Sequence, residues 1–168
     1  EMDQPRSSFI LKRGIYDQYG DEVFPDTPQS ILPFDNYPKN RLGLAKWLFD
    51  DKHPLTARVA VNRLWQRMFG SGIVASSFDF GNQGSLPTHP ELLDYLAIKY
   101  KTEGWDTIKM LKYIAMSEAY QQDTKASPEK LEQDPENKYL ARASRLRLSS
   151  EAIRDQALAF SGLLNREV

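Results

Sequence analysis

Two side chains near the middle of the sequence could take part in acid–base chemistry, Asp79 and His89. Asp79 lies between Phe78 and Phe80, so burial of the two rings would shield its carboxylate from water. A shielded carboxylate and an imidazole are groups that general acid–base catalysis uses. Both residues also have structural explanations, because a buried carboxylate needs a cationic partner and His89 stands beside a predicted helix start.

Three polar residues upstream are candidate partners of Asp79. Arg58 and Asn62 are one turn apart on a predicted helix, and Arg63 follows Asn62 directly. An arginine that faces Asp79 would form an ion pair that fixes the local structure. The alternative is a binding site in which Arg58, Asn62 and Arg63 hold a ligand beside a catalytic acid.

A second basic group lies near the end of the chain and contains Arg145, Arg147 and Arg154. Alternation can place Arg145 and Arg147 on one face of an extended segment. This group is interpreted either as a solvated surface or as a site for an anion, an acidic glycan or a neighbouring domain.

The composition narrows the function classes. The 22 Lys and Arg residues nearly balance the 23 Asp and Glu residues, which argues against nucleic acid as a partner. The sequence has no cysteine and only two histidines, without H-x-x-x-H or H-x-H spacing, so we expect no metal site and no cofactor. No apolar run reaches the length of about 18 residues that predicts a membrane span.

Helical periodicity begins after residue 38 and predicts a mainly α fold, a helical bundle of about five or six helices. The clearest helix runs from about Thr56 to Phe69 and ends at Gly70. Asn40 precedes the first helical pattern, while Asp106 and Ser149 or Ser150 are predicted to cap later helices.

Three further details follow from local patterns. Thr88, Pro90 and Glu91 form the Ser/Thr-x-x-Glu capping box with proline in the first turn. The sequence SPEKLEQDPEN is interpreted as a polar link, and Asp134-Pro135 as the start of a short helix. The last helix carries an apolar stripe of Ile153, Ala157, Phe160 and Leu164.

Residues 70–87 form a connection that is longer than most loops in compact domains. Its glycines and serines suggest irregular backbone, while Ile73, Val74, Phe78 and Phe80 would seek burial. We therefore expect a long ordered Gly/Ser/aromatic loop. Structural order and ligand binding are both open interpretations of it.

Residues 1–38 differ from the rest because they hold five of the ten prolines. They include a strand-like run, SSFILKRG, and the sequence YGDE, which is interpreted as a turn. We expect an extended, Pro-rich N-terminal arm or linker whose apolar residues pack on another surface. Residues 39–168 would then form the helical domain.

Several long motifs follow one another after residue 40: RLGLAKWL, HPLTARVAVNRLWQRMFGSGIV, SSFDFGNQGSLPTHPELLDYLA, GWDTIKMLKYIAMSEAYQQ and DPENKYLARASRLRLSSEAIRDQAL. Together they resemble the planctomycete-type PSD C-terminal domain, a domain of unknown function in large exported proteins of planctomycetes and Bacteroidetes. The resemblance implies an exported protein, periplasmic or at the cell surface, with a link to polysaccharide utilisation. It supplies no catalytic residues.

The functional expectation is a noncatalytic assembly or binding module of a larger exported protein. Its expected partners are other domains of the same polypeptide, with a glycan as a candidate ligand. The first residue is Glu1, which agrees with a piece of a longer chain. The alternative is a fragment of a hydrolase-type enzyme with a site around Asp79 and His89.

Overall fold

The computed structural model describes residues 6–165, and in this range it is mainly helical, as the sequence predicted. The chain divides into two compact units, with the boundary after Thr56. The described elements are β1 (Ser8–Leu11), β2 (Tyr19–Val23), α1 (Arg41–Leu48), α2 (Thr56–Phe69), α3 (Pro90–Thr102), α4 (Thr107–Ala115), α5 (Pro128–Gln133) and α6 (Ser150–Ser161).

The N-terminal unit contains an antiparallel hairpin of β1 and β2, and the sequence YGDE lies in β2. The interpretation of YGDE as a turn is therefore wrong. The chain reverses earlier, where Arg13 and Gly14 adopt left-handed φ angles of 54° and 74°. Because the chain has reversed before Tyr19, the YGDE residues pair with β1 as an antiparallel strand, with Leu11 opposite Tyr19.

A small aromatic cluster forms the core of this unit. The Trp47 ring meets His53 edge-on at 4.4 Å between centroids, and Phe34 packs against Trp47 at 6.5 Å. Phe34 is buried, whereas Tyr16 and Phe24 of the predicted arm are exposed. Phe34 thus belongs to the core of this unit, and packing of Tyr16 and Phe24 on another surface stays a prediction.

The C-terminal unit has a larger core that α2 supplies with one apolar stripe. The helix begins at Thr56 and ends at Phe69, as predicted, and Gly70 follows with a left-handed φ of 85°. Burial of this stripe stabilises the unit by removing apolar area from water. The buried core residues are Val61, Trp65, Phe69, Ile73, Val74, Leu93, Leu96, Tyr100, Met110 and Ile114.

Side-chain caps begin α4 and α6, as predicted. The carboxylate of Asp106 accepts a hydrogen bond from the Lys109 backbone N–H at 2.9 Å. The Ser149 hydroxyl accepts one from the Ala152 N–H at 3.2 Å. These bonds satisfy N–H groups that the first helical turn leaves without partners.

The region around α5 corrects two predictions. The sequence interpreted as a polar link contains helix α5 (Pro128–Gln133), which Ser127 caps, and no helix begins at Asp134 within the described residues. The physical reason is the carboxylate of Asp134, which binds the backbone N–H groups of Lys138 and Tyr139 and holds residues 134–139 in irregular turns. Asp134 ends a helix where the pattern suggested a start.

The apolar stripe of α6 is largely exposed. Ile153 is 50% exposed and Phe160 86%, and none of the residues of α6 is buried. The stripe therefore does not contribute to the core of the C-terminal unit.

Candidate functional site

A cleft of about 340 Å³ opens in the C-terminal unit between two irregular segments. Trp65 and Phe69 form its apolar floor, and their rings stack at 4.1 Å between centroids with an interplanar angle of 14°. Residues 70–87, called the loop, form one wall, and residues 134–144, called the turn segment, form the other. The lining residues besides the floor are Ser71, Gly72, Ile73, Ala75, Thr88, His89, Glu136, Asn137, Lys138, Leu140 and Ser144.

Asn62 anchors the loop to α2. Its side chain is fully buried, and the amide oxygen accepts a hydrogen bond from the Val74 N–H at 2.8 Å. The Asn62 Nδ2 group donates to the Val74 carbonyl at 3.0 Å and to the Ser77 hydroxyl at 3.3 Å. A Cβ at Gly72 would lie 2.6 Å from Asn62 Nδ2, so the backbone passes close to this amide. Asn62, predicted as a ligand-binding residue, is here a structural group that positions one wall.

Thr88 closes the loop and does not form the predicted capping box. Its backbone N–H and its hydroxyl both donate to the Ile73 carbonyl, at 2.9 and 3.2 Å. His89 occupies the N-cap position of α3 and makes no side-chain cap bond. The hydroxyl of Thr88 finds a partner across the loop, and this tertiary bond replaces the local one that the sequence pattern favoured.

His89 lies on the cleft wall, half-buried, with its Nδ1 atom 3.0 Å from the Thr88 hydroxyl. Of the two residues proposed for acid–base chemistry, it is the one that lines the cleft. Its other ring nitrogen offers a polar group to a ligand.

Asp134 organises the opposite wall. Its two carboxylate oxygens accept hydrogen bonds from the N–H groups of Lys138 at 2.8 Å and Tyr139 at 2.7 Å. Burial opposes ionisation of this carboxyl, but the two N–H donors and the nearby Arg142 outweigh it, so the pKa of Asp134 is lowered. The Arg142 guanidinium also donates to the Asp134 and Pro135 carbonyls, at 2.9 and 2.8 Å.

The turn segment brings charged and amide groups to the cleft. The sequence analysis did not predict these groups as part of a site. Glu136 and Lys138 form an ion pair at 2.8 Å, which leaves the wall nearly neutral. Asn137 has a left-handed φ of 54° and donates from Nδ2 to the Arg142 carbonyl at 2.8 Å. Its buried Oδ1 has no hydrogen-bond partner among residues 6–165. The available signal was the run Asp-Pro-Glu-Asn, whose residues favour turns over helix.

Asp79 is exposed and lies outside the cleft lining. Its Oδ1 accepts a hydrogen bond from the Gly81 N–H at 2.8 Å, which makes a local turn. Phe78 is 95% exposed and does not shield it, while Phe80 packs partly against the core. Within the described part of the chain Asp79 has no ion pair, so the predicted contact with Arg58 or Arg63 is wrong.

The three predicted partners of Asp79 take separate positions. Arg58 pairs with Asp94 of α3, with 2.5 Å between Nε and Oδ1, and this hydrogen bond lowers the pKa of Asp94. Asn62 is in the core. Arg63 is exposed and lines a different cleft. These side chains therefore do not form one site.

The basic group near the C-terminus is on the surface. Arg145 and Arg147 are exposed, and Arg154 is exposed and lies 3.5 Å from the carboxylate of Asp155. None of the three lines either cleft. Anion binding by this group stays a prediction.

Two findings concern residues 6–165 as a whole. No three His, Asp or Glu side chains come together there as metal ligands would. None of the helices in this range combines the length and the apolar character that crossing a bilayer requires.

Comparison with known proteins identifies one family. No curated protein and no solved structure matches the chain. Residues 40–168 match PSD1, described as a protein of unknown function (DUF1553), which confirms the resemblance seen in the motifs. The match covers most of the sequence, and the chain therefore belongs to the PSD1 family.

Proposed function

We propose that the chain is a noncatalytic binding module whose cleft accepts a neutral saccharide. The observation that carries this proposal is the composition of the cleft, an aromatic floor between two polar walls without net charge. Ligand sites of this size combine an apolar surface with a few fixed polar groups.

The floor suits the apolar face of a sugar ring. Trp65 and Phe69 line the cleft as a pair of rings stacked on each other, and each is 6% exposed. The C–H groups of a pyranose can pack on such a surface, which gains from burial of apolar area.

The walls suit the hydroxyl groups of a sugar. Ser71, Thr88 and Ser144 bring hydroxyls to the cleft, and His89 brings a ring nitrogen. The Thr88 hydroxyl donates its hydrogen to the Ile73 carbonyl and can accept from a sugar, while a serine hydroxyl can donate or accept. A charged sugar would meet no uncompensated charge on the turn segment, because the carboxylate of Glu136 already pairs with Lys138.

The alternative function is a hydrolase, which needs two catalytic groups that act on one substrate. The residues of this cleft support a hydrolase less well than they support a binding module. His89 lines the cleft but Asp79 does not. The carboxylate that does line it, Glu136, is occupied by Lys138. The geometry therefore favours binding over an acid–base mechanism built on Asp79 and His89.

The proposal extends to the setting of the module. As part of a larger exported protein, periplasmic or at the cell surface, the module would work beside other domains of the same polypeptide in polysaccharide utilisation. The motif resemblance to a domain of large exported proteins supports this setting.

The test is a titration of the ¹⁵N-labelled chain with neutral oligosaccharides of cello-, xylo-, manno- and malto- type, followed by NMR. We expect binding in the millimolar range, with shifts at residues 71–75, 88–89 and 136–144. Ala75→Trp fills the cleft and should weaken binding about tenfold, while Ala159→Trp on exposed α6 should not. Absence of binding across the panel, or equal binding by both variants, would refute the proposal.

A second measurement separates binding from catalysis. The same oligosaccharides and a set of nitrophenyl glycosides and esters are incubated with the chain, and products are quantified. We expect no turnover. Turnover that both His89→Ala and Asp79→Asn abolish, at unchanged melting temperature, would support the hydrolase instead.

A further inference from the structure

A second cleft, of about 450 Å³, lies on α2 and the loop and shares no lining residue with the saccharide cleft. It is lined by Arg63, Gln66, Arg67, Ser77 and Phe78. We call these five residues the arginine cleft. Its side chains differ in character from those of the saccharide cleft, because two of the five carry a positive charge.

The two arginines are placed for an external anion. Arg63 and Arg67 are one helical turn apart on α2, and both are exposed. In the part of the chain that the structure describes, neither guanidinium has an ion pair or a hydrogen bond. Two like charges at this spacing repel one another, so a bound carboxylate would remove an unfavourable interaction as well as add favourable ones.

Ser77 ties the arginine cleft to the core. The residue is 4% exposed, and its Oγ accepts a hydrogen bond from Asn62 Nδ2 at 3.3 Å. Since Asn62 is fully buried on α2, this bond fixes the position of the backbone next to Phe78.

Phe78 supplies an exposed apolar surface at the same place. Its side chain is 95% exposed although the backbone on both sides is ordered by hydrogen bonds, from Ser77 N–H to Ala75 at 3.0 Å and from Asp79 N–H to Ser76 at 2.8 Å. A large ring held in water on a fixed turn contributes little to the fold. Aromatic and arginine side chains together are typical of the centres of protein interfaces.

We infer that the arginine cleft is a docking surface for an acidic protein segment, in which a carboxylate binds Arg63 and Arg67 and a neighbouring apolar side chain packs on Phe78. The two positive charges favour an anionic partner. The exposed Phe78 ring favours a partner that has an apolar side chain next to its negative charge. A uniform polyanion would use the arginines but leave Phe78 without a partner. The inference is independent of the saccharide proposal, because the two clefts have different residues.

The experiment measures binding of a fluorescein-labelled peptide of alternating glutamate and leucine by fluorescence anisotropy. The matched probe is the same peptide with glutamine in place of glutamate. We expect the glutamate peptide to bind, and its affinity to fall as salt rises, since exposed charges are screened. Arg63→Gln and Arg67→Gln should each weaken binding about fivefold, and Phe78→Ala about tenfold.

Lys112→Gln on the exposed side of α4 is the control, because it makes the same change in net charge away from the cleft. It should bind the peptide as the unmodified chain does, and the melting temperature of every variant is recorded to show that it is folded. Absent binding, equal loss in the control, or equal binding of the glutamine peptide would overturn the inference. Tighter binding of heparin than of the peptide, unaffected by Phe78→Ala, would also overturn it, in favour of a polyanion site.

Discussion

The loop and the turn segment are both irregular, and both are held by one polar side chain, but the two side chains work differently. Asn62 is neutral, fully buried, and binds the backbone of Val74, twelve residues along the chain. Asp134 is charged and binds N–H groups four and five residues after itself. One wall of the saccharide cleft is thus tied to the core of α2, while the other is held by local bonds that need a carboxylate.

This difference predicts that Asn62→Ala has the largest effect on stability. The change leaves the N–H and the carbonyl of Val74 without partners inside the core, so we expect a loss of about 3 kcal/mol in the free energy of unfolding. Urea denaturation measures it. Arg67→Ala on the exposed face of the same helix is the control and should change stability by less than about 0.5 kcal/mol. A loss below about 1 kcal/mol for Asn62→Ala would show that the loop is not tied to the core in this way.

Gly72→Ala tests the same wall from the backbone side. The added Cβ would lie 2.5 Å from the Val74 carbonyl oxygen and 2.6 Å from Asn62 Nδ2, so the amide bonds must shift. We expect a loss of about 2 kcal/mol, as in other overpacked sites.

Gly81→Ala in the same loop is the matched control, because its nearest new contact is the flexible carboxylate of Asp79 at 3.1 Å. It should unfold at nearly the urea concentration of the unmodified chain. Equal losses in the two variants would attribute the effect to loop glycines in general and not to the contact of Gly72 with Asn62.

Asp134→Asn should give the smallest effect of the three, about 1 kcal/mol at pH 7, because the amide retains one of the two acceptor oxygens. The pKa of Asp134 is lowered in the folded state, so its contribution is present above the unfolded pKa of about 4 and is lost as pH falls through the folded value. The difference in melting temperature between the chain and this variant should therefore shrink from pH 7 to pH 3.

Asn62→Ala, which changes the anchor of the loop, is the reference for this pH dependence of the melting temperature. Asn62 does not titrate, so the difference between the chain and Asn62→Ala should stay nearly constant over the same pH range. If the two differences shrink in parallel, the distinction between a neutral and a charged anchor is incorrect.

Local signals in the sequence predicted the helices well. The bounds of α2 and the caps at Asp106 and Ser149 depend on residues within one turn of each other. The capping-box prediction failed because a side chain binds outside its own turn. Thr88 satisfies a loop carbonyl instead of capping α3, which no local pattern shows.

The candidate site was harder to predict for the same reason. The sequence placed Phe78 and Phe80 together as shields for Asp79, but the turn at residues 76–81 sends Phe78 outward and Phe80 toward the core. The direction of each side chain depends on that turn geometry. The structure of the turn segment was not predicted, because Asp134-Pro135 is a pattern typical of helix starts. Its carboxylate instead binds two backbone N–H groups and stabilises irregular turns, which only the structure shows.

The pair of hydrogen bonds from Thr88 to the Ile73 carbonyl turns residues 73–88 into a closed ring. Because these hydrogen bonds hold the two ends of the ring together, the number of residues in it can change without moving α2 or α3. Doubling the length of such a loop costs only about 0.6 kcal/mol in closure entropy. Asn82 and Gln83 are exposed within this ring. Insertions among PSD1 sequences should therefore accumulate there, and a spectroscopic label attached at Gln83 would report on this region while the protein stays folded.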